Sequence, residues 1–347
     1  MSDVVTAKDL LPGDVLLYHG TGWISRMIRL FDGSDVNHAG LYLGDEKVGE
    51  AIAGGLKERS LAESREGCEF VRVRRLKADA AMGPVLAKGR EYLAKGQRYA
   101  YEQIVMLALL SLSKQLKLNP ILRWLINRAL YLAAAVLERL ISGKTEPMIC
   151  SEFVYRAYDE ALPAPDDPYT LHIPRQFPDV GLDAKAAAFA SAPGAPALAA
   201  PVGVHPNSLL AVLMARAGQG ALATTGSIKL AAAKVPMKKV SDKEMNKAVD
   251  AYLATCDGKT PSVPVADVSL DQLADTADRF ALSFCRAMGK KAGPPRAAVA
   301  AAAVKSFAAS GSKMPLYAYL WKTCADFVTP AGLNATDDLL TRGELKP

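Results

Sequence analysis

Three residues of the chain have the types that covalent chemistry by a thiol requires: Cys150, His38 and Glu50. Cys150 opens a segment with helical periodicity, and the positive end of a helix dipole lowers the pKa of a thiol placed there. His38 begins a predicted strand after a polar turn, where an imidazole can point into a cleft. Thiol, imidazole and carboxylate form the nucleophile, base and orienting group of cysteine hydrolases. Taken singly, a cysteine or a histidine at such a position is more often a structural residue.

The spacing of the histidine and the carboxylate predicts that they lie on one face of a β-hairpin. Glu50 follows His38 by 12 residues, across a predicted turn at Gly44 and Asp45. Side chains alternate between the two faces of a strand, so an even spacing in a tight hairpin places both on the same face.

The elements that must position these residues are predicted from alternation, turn signals and helical periodicity. The first ~75 residues are mostly β, and the helices follow. Strands are predicted at 14–18, 38–43, 47–52 and 70–73, and helices at 22–31, 78–95 and 150–162. The segment 102–141 is apolar and helical, broken at Asn119-Pro120. Further helices are predicted at 243–255, 270–288, 295–309 and 316–327.

Length and composition indicate a globular protein of two domains. The chain has 347 residues, half of them hydrophobic, and a formal net charge of +6. No basic run interleaved with aromatic residues is present, so nucleic acid is not an expected partner. The five scattered cysteines form no CxxC pair, so we expect neither a zinc site nor a disulfide framework, and no cofactor is implied.

The N-terminal sequence lacks the basic and apolar regions of a Sec signal peptide. No uninterrupted apolar run of 18 residues is present, because charges interrupt the best candidate at 121–141. We therefore expect a soluble, cytoplasmic protein without a transmembrane helix, with secretion by a signal-less route left open.

Four segments together resemble the permuted papain-like amidases, the YiiX/YaeF-like branch of the NlpC-type cysteine hydrolases. They are Leu-Pro-Gly-Asp-Val-Leu-Leu-Tyr at 11–18, Asn-His-Ala-Gly-Leu-Tyr-Leu-Gly at 37–44, Gly-Glu-Ala at 49–51 and Ile-Cys-Ser-Glu-Phe-Val-Tyr at 149–155. The histidine precedes the cysteine, which is the permuted order and also that of the lecithin retinol acyltransferase relatives. The resemblance covers roughly residues 8–175.

The resemblance implies an α+β fold: a circularly permuted papain-like domain with an antiparallel sheet and a helix that begins at the cysteine. It implies Cys150 as nucleophile, His38 as base and Glu50 as the third member, acting through an acyl-enzyme without metal or cofactor. Tyr99, in a Gly-x-x-Tyr segment at 96–99, resembles a tyrosine near the oxyanion side of the cleft, although Ala100 departs from the family's Asp. Tyr18 is a second candidate to line the cleft.

The domain boundaries follow from these patterns. We expect a hydrolase domain at 1–185, an Ala- and Pro-rich linker and crossing segment at 186–240, and an all-α domain at 241–347. An apolar helical insertion at about 102–147 separates Tyr99 from Cys150. It predicts either extra core helices or a lid that contacts anionic membrane through the basic residues Lys114, Lys117, Arg123, Arg128 and Arg139.

The leading interpretation is an amidase that acts on an acylated or lipid-linked substrate. Two enzymatic alternatives remain open, a lipid acyl hydrolase or acyltransferase and a peptidoglycan peptidase. A lipid- or protein-binding module with an idle triad is the alternative from a different class, and no protein partner is identified.

Overall fold

The computed structural model describes residues 4–52, 55–94, 99–100, 103–113, 116–141, 147–162, 167–174, 240–260, 265–291 and 328–346. The described strands are β1 (Val15–Gly20), β2 (His38–Gly44), β3 (Lys47–Ile52), β4 (Gly55–Ser60), β5 (Cys68–Leu76), β6 (Tyr99–Ala100), β7 (Pro147–Met148) and β8 (Leu339–Leu345). The described α-helices are α1 (Trp23–Asp32), α2 (Leu61–Ser64), α3 (Gly83–Ala94), α4 (Gln103–Ser113), α5 (Pro120–Ile141), α6 (Cys150–Asp159), α7 (Asp242–Cys256), α8 (Leu270–Lys291) and α9 (Pro330–Ala335).

The chain divides into two compact units. One, which we call the sheet unit, comprises residues 1–106, 145–176 and 327–347. The other, the helical unit, comprises residues 107–144 and 177–326, and its described elements are helices.

The sheet unit is α+β and is built on a six-stranded antiparallel sheet with the strand order β4-β3-β2-β1-β5-β8. Strands β1 to β4 follow one another as a meander apart from the crossing of α1. The tight turn between β2 and β3 has positive φ angles at Asp45 and Glu46, 49° and 53°. Two consecutive left-handed residues are typical of the type I′ turn, whose twist matches that of the flanking strands.

The two faces of the sheet bury different elements. On one face, Leu16, Tyr18 and Val48 join a core cluster with Leu61 of α2. On the other face the backbone approaches α6 closely, because a Cβ at Gly49 would lie 3.2 Å from the Phe153 ring. The absence of a side chain at this glycine lets α6 lie close to β3.

The last strand of the sheet changes the predicted domain boundary. We predicted an all-α domain over 241–347, but β8 pairs with β5 and, together with α9, belongs to the sheet unit. The burial of β8 does not alternate, and its register with β5 is irregular between Val73 and Arg74. This irregularity removes the period-2 signal by which a strand is found in sequence. The predicted linker and the predicted helices at 295–309 and 316–327 lie outside the described residues.

The apolar insertion at about 102–147 also differs from its predicted place in the first domain. Most of it, residues 107–144, belongs to the helical unit. There α5 packs against α8, and Arg279 donates two hydrogen bonds of 2.8 Å to the carboxylate of Glu138. Two of the basic side chains that interrupt α5 also lie within this unit. Arg123 forms an ion pair with Asp267 at 3.3 Å, and Arg128 is buried.

One helix among the described residues is long and apolar enough to cross a membrane by length and composition. It is Pro120–Arg139 within α5, with a mean hydropathy of 1.3. In the structure 67% of this window is buried, as in the core helix of a compact helical unit.

Candidate functional site

The site is organised by the hairpin β2–β3 and its neighbour β1. Gly40 is the residue paired with Glu50 in β2–β3, and Tyr18 is the residue paired with His38 in β1–β2. His38 and Glu50 are therefore diagonal neighbours on one face of the sheet, as their even spacing predicted. Their side chains meet: His38 Nε2 lies 2.9 Å from Glu50 Oε2.

This contact fixes which nitrogen of the imidazole carries a proton. An ionised carboxylate only accepts hydrogen bonds, so His38 Nε2 donates to Glu50. The other ring nitrogen, Nδ1, is buried and has no hydrogen-bond partner of ordinary geometry in the described part of the chain. The carboxylate therefore leaves Nδ1 to a reacting group: this nitrogen offers a lone pair when His38 is neutral and a proton when His38 is an imidazolium.

Cys150 is the first residue of α6, and the extended backbone of Ile149 precedes it. The Ile149 N–H donates to Glu152 Oε2 at 3.4 Å, which holds the start of the helix. Cys150 is 2% exposed and His38 is 7% exposed. The thiol is therefore enclosed at the positive end of a helix dipole.

The charges of Cys150 and His38 stabilise each other. Burial raises the pKa of the Cys150 thiol, but the His38 imidazolium and the N–H groups of Ala39 and Ser151 lower it by more. Burial lowers the pKa of His38, whereas Cys150 and Glu50 raise it above the ordinary value. The favoured state of the pair is a thiolate beside an imidazolium.

The Glu50 carboxylate is held by residues on two further elements. Arg59 of β4 donates to Glu50 Oε1 at 3.0 Å, and the Ser64 hydroxyl, at the end of α2, lies 3.4 Å from Oε2. Burial raises the pKa of Glu50, while His38 and Arg59 lower it, and the net shift is downward. The carboxylate is thus ionised around neutral pH.

Tyr18 lies beside this network rather than on an open cleft wall. Its ring is 5.1 Å from that of His38, and its hydroxyl is 2.5 Å from Ser64 Oγ. The side chain is 1% exposed. This differs from the predicted place at the cleft, because the hydroxyl is already bonded in the core. The backbone of Tyr99 pairs with Pro147 in β6–β7, but its side chain lies outside the described part of the structure.

Arg59 and Ser64 were not found from the sequence. The segment that forms β4 alternates poorly, with exposed or half-buried residues from Lys57 to Ser60. If a strand had been predicted there, its pairing with β3 would have placed Arg59 near Glu50. Lys57 is paired with Glu50, so Arg59 falls two residues further along the same face.

The start of α6 is also tied to the last part of the sheet unit. The buried Ser151 hydroxyl donates to the carbonyl of Val328 at 2.6 Å, just before α9. The residue next to the thiol thereby contacts a segment 177 positions later in the chain.

Among the described residues, no group of three or more His, Cys, Asp or Glu side chains is arranged to hold a metal ion.

A curated protein with a similar sequence is YaeF of Escherichia coli (strain K12), described as a probable lipoprotein peptidase. The two are 30% identical over 159 residues, which is 45% of this chain and 58% of YaeF. The sequence match supports a YiiX/YaeF-like family. The chain spans less than two thirds of the length of YaeF, and no protein-family model matches it.

A solved structure, described as that of the metalloprotein yiiX from Escherichia coli O157:H7, aligns with 50% of this chain and 78% of that one. The sequence identity is 20% and the TM-score is 0.29.

Proposed function

We propose that the chain is a cysteine hydrolase that cleaves an amide bond in an acylated or lipid-linked peptide. The observation that carries the proposal is the buried series Glu50, His38 and Cys150, in which the carboxylate holds Nε2 of the imidazole and the thiol interacts with the same ring. The relative YaeF, a probable lipoprotein peptidase by its description, supports the choice of a peptide substrate.

The proposed fold of the sheet unit is the circularly permuted papain-like one. Two features support it: the candidate nucleophile begins a helix that packs on the antiparallel sheet, and the candidate base begins a strand of that sheet. The histidine strand precedes the cysteine helix in the chain, as the permuted order requires.

In the first half of the reaction, the Cys150 thiolate attacks the amide carbonyl carbon and forms a C–S bond. The negative charge moves to the carbonyl oxygen, near the N–H groups at the start of α6. The His38 imidazolium then gives its Nδ1 proton to the leaving nitrogen. The C–N bond breaks, which releases an amine and leaves an acyl-enzyme.

In the second half, neutral His38 takes a proton from water at Nδ1, and the resulting hydroxide attacks the thioester carbon. The C–S bond breaks, which releases a carboxylic acid and restores the thiolate–imidazolium pair. Throughout, Glu50 accepts the Nε2 proton's hydrogen bond and stabilises the imidazolium.

The test is a comparison of three substrates on the purified full chain. They are a diacylated lipopeptide, the same peptide without acyl chains, and phosphatidylglycerol vesicles. We expect cleavage of the lipopeptide at an amide bond, with the amine and acid identified by mass spectrometry. Cys150→Ala abolishes it, and Cys256→Ala, at an exposed free thiol, does not.

Other outcomes select the alternatives. Release of fatty acid from vesicles alone supports a lipid acyl hydrolase, and transfer to an added amine or alcohol supports an acyltransferase. Cleavage of the peptide irrespective of acylation supports a peptidase without lipid recognition. Binding without turnover of any of the three supports a binding module and contradicts the hydrolase.

A further inference from the structure

Glu50 receives more hydrogen bonds than orientation of an imidazole alone requires. Three donors converge on its two oxygens: His38 and Ser64 on Oε2, and Arg59 on Oε1. The side chain is 1% exposed, so these contacts replace water. A carboxylate with all of these contacts in place has little freedom to rotate away from the histidine.

Arg59 ties this carboxylate to the backbone of α2. One guanidinium nitrogen donates to Glu50 Oε1 at 3.0 Å, and the other donates to the carbonyl of Glu63 at 2.7 Å. The planar guanidinium holds two acceptors in fixed geometry, which a flexible ammonium does less well. Strand β4 and helix α2 are thereby locked together at the carboxylate.

The Tyr18 hydroxyl orients that of Ser64, and the available protons decide which hydroxyl donates the hydrogen bond between them. Glu50 only accepts, so the Ser64 proton faces Glu50 Oε2, and the Tyr18 hydroxyl must then donate to Ser64 Oγ across 2.5 Å. Burial and the charge of Glu50 raise the pKa of Tyr18, which keeps that hydroxyl protonated. The chain of donors runs from Tyr18 through Ser64 to Glu50.

We propose that Arg59 and Ser64 are positioning residues that hold the Glu50 carboxylate against His38 and so set the reactivity of Cys150. This inference rests on the proposed function, because it assigns the two residues an effect on the same thiol. They act through Glu50, to which both are hydrogen-bonded. Among the residues that the structure describes, the groups that act on the His38–Glu50 pair are Tyr18, Arg59, Ser64, Cys150 and, through its charge, Cys68.

The experiment is a double-mutant cycle on the full chain with iodoacetamide as the probe and Cys150 located by mass spectrometry. Arg59→Gln slows alkylation at pH 7 by about tenfold, within the range found for members of one hydrogen-bond network. In a Glu50→Gln background the same substitution has no further effect, because the group through which it acts is gone. Arg59→Lys recovers part of the loss, and Ser64→Ala slows alkylation as a second, uncharged variant.

Arg72→Gln is the matched control. Arg72 is also a half-buried arginine of the sheet, paired with Asp35 and Glu344 away from the site. We expect the substitution Arg72→Gln to lower the melting temperature without changing the rate at which Cys150 is alkylated. The proposal is overturned if Arg72→Gln slows alkylation equally, if Arg59→Gln leaves the rate unchanged, or if its effect adds in full to that of Glu50→Gln.

A second measurement separates this proposal from the proposed function. The chain has four histidines, so ¹⁵N spectra of histidine-labelled protein are readily assigned with His38→Gln. The comparison is made in a Cys150→Ala background, where no thiolate favours the imidazolium. There neutral His38 carries its proton on Nε2, and the added Arg59→Gln change makes it a mixture of tautomers. If the labelling midpoint of wild-type Cys150 is no lower than that of Cys256, the hydrolase proposal fails. The histidine spectra still test the positioning role in that case. If Arg59→Gln leaves the His38 tautomer unchanged, the positioning role is overturned.

Discussion

Glu50 Oε2 lies 2.9 Å from His38 Nε2 although the two residues are not opposite each other in the hairpin. Gly40 occupies the opposite position, and the histidine reaches the carboxylate diagonally across the sheet face. Diagonal neighbours are about 7–8 Å apart at Cα, so only long side chains meet in this way. Glutamate satisfies this requirement, and a shorter aspartate falls short of the imidazole.

The first prediction concerns the pH at which Cys150 reacts. Iodoacetamide labelling of the wild type has its midpoint below the ordinary thiol pKa of about 8.5, because His38 lowers the pKa of Cys150. His38→Ala moves the midpoint upward, since only the N–H groups of Ala39 and Ser151 then oppose the effect of burial on the pKa of Cys150. Midpoints rather than rates are compared because the thiol is enclosed. Coincident midpoints for the two proteins contradict the proposed pair, and exposed Cys256 provides the internal reference.

The second prediction concerns stability against pH. Glu50→Gln destabilises the fold by about 1–3 kcal/mol at pH 7, because hydrogen bonds to a charged group are lost. The folded-state pKa of Glu50 is lowered, so its contribution is present above the unfolded pKa of about 4.3 and is lost as the pH falls through the folded value. The difference in melting temperature between variant and wild type therefore shrinks toward pH 3.

The control for this prediction is Glu58→Gln. Glu58 pairs with Lys47 at 2.9 Å, but both side chains are about half exposed, so the change is close to zero at every pH. A difference between Glu50→Gln and wild type that grows on acidification would rule out the assigned ionisation of Glu50.

The third prediction tests whether β8 is part of the folded sheet. Leu339→Ala destabilises the protein by about 2–4 kcal/mol, because this side chain is buried. Its neighbour Leu340 is 43% exposed on the same strand, and Leu340→Ala changes the free energy of unfolding by less than about 0.5 kcal/mol. Urea unfolding of both variants measures the difference, and equal effects would show that β8 does not pack as described.

The fourth prediction concerns the space around the Tyr18 hydroxyl. A Cβ at Gly40 would lie 3.0 Å from that hydroxyl and 2.9 Å from Val48. Gly40→Ala therefore costs about 1–3 kcal/mol and slows Cys150 labelling, because it displaces Tyr18 from Ser64. Gly83→Ala, at a position with no atom within 4 Å of the added Cβ, changes neither stability nor labelling appreciably. Equal behaviour of the two alanine variants contradicts the close approach.

The sequence predicted the parts of the site that local patterns specify. Strands β1 to β3 are apolar runs bounded by turn signals, and the helix that begins at Cys150 has helical periodicity. The shared face of His38 and Glu50 follows from their even spacing. Arg59 and Ser64 lie on a polar strand and a four-residue helix without such periodicity. Strand β8 was missed because a partner almost at the other end of the chain determines its conformation. No local pattern encodes a pairing of that kind.

The pairing of β5 with β8 also fixes an order of events during synthesis. About 260 residues separate the paired positions Leu76 and Leu339, and the whole helical unit emerges from the ribosome between them. Closure of so long a loop adds little to the free energy of folding but slows it. The edge of β5 remains unpaired until β8 has been made. Ser151, beside the thiol, also lacks its Val328 acceptor until then. The nascent chain thus carries Cys150 for much of its synthesis before the surroundings of that thiol are complete.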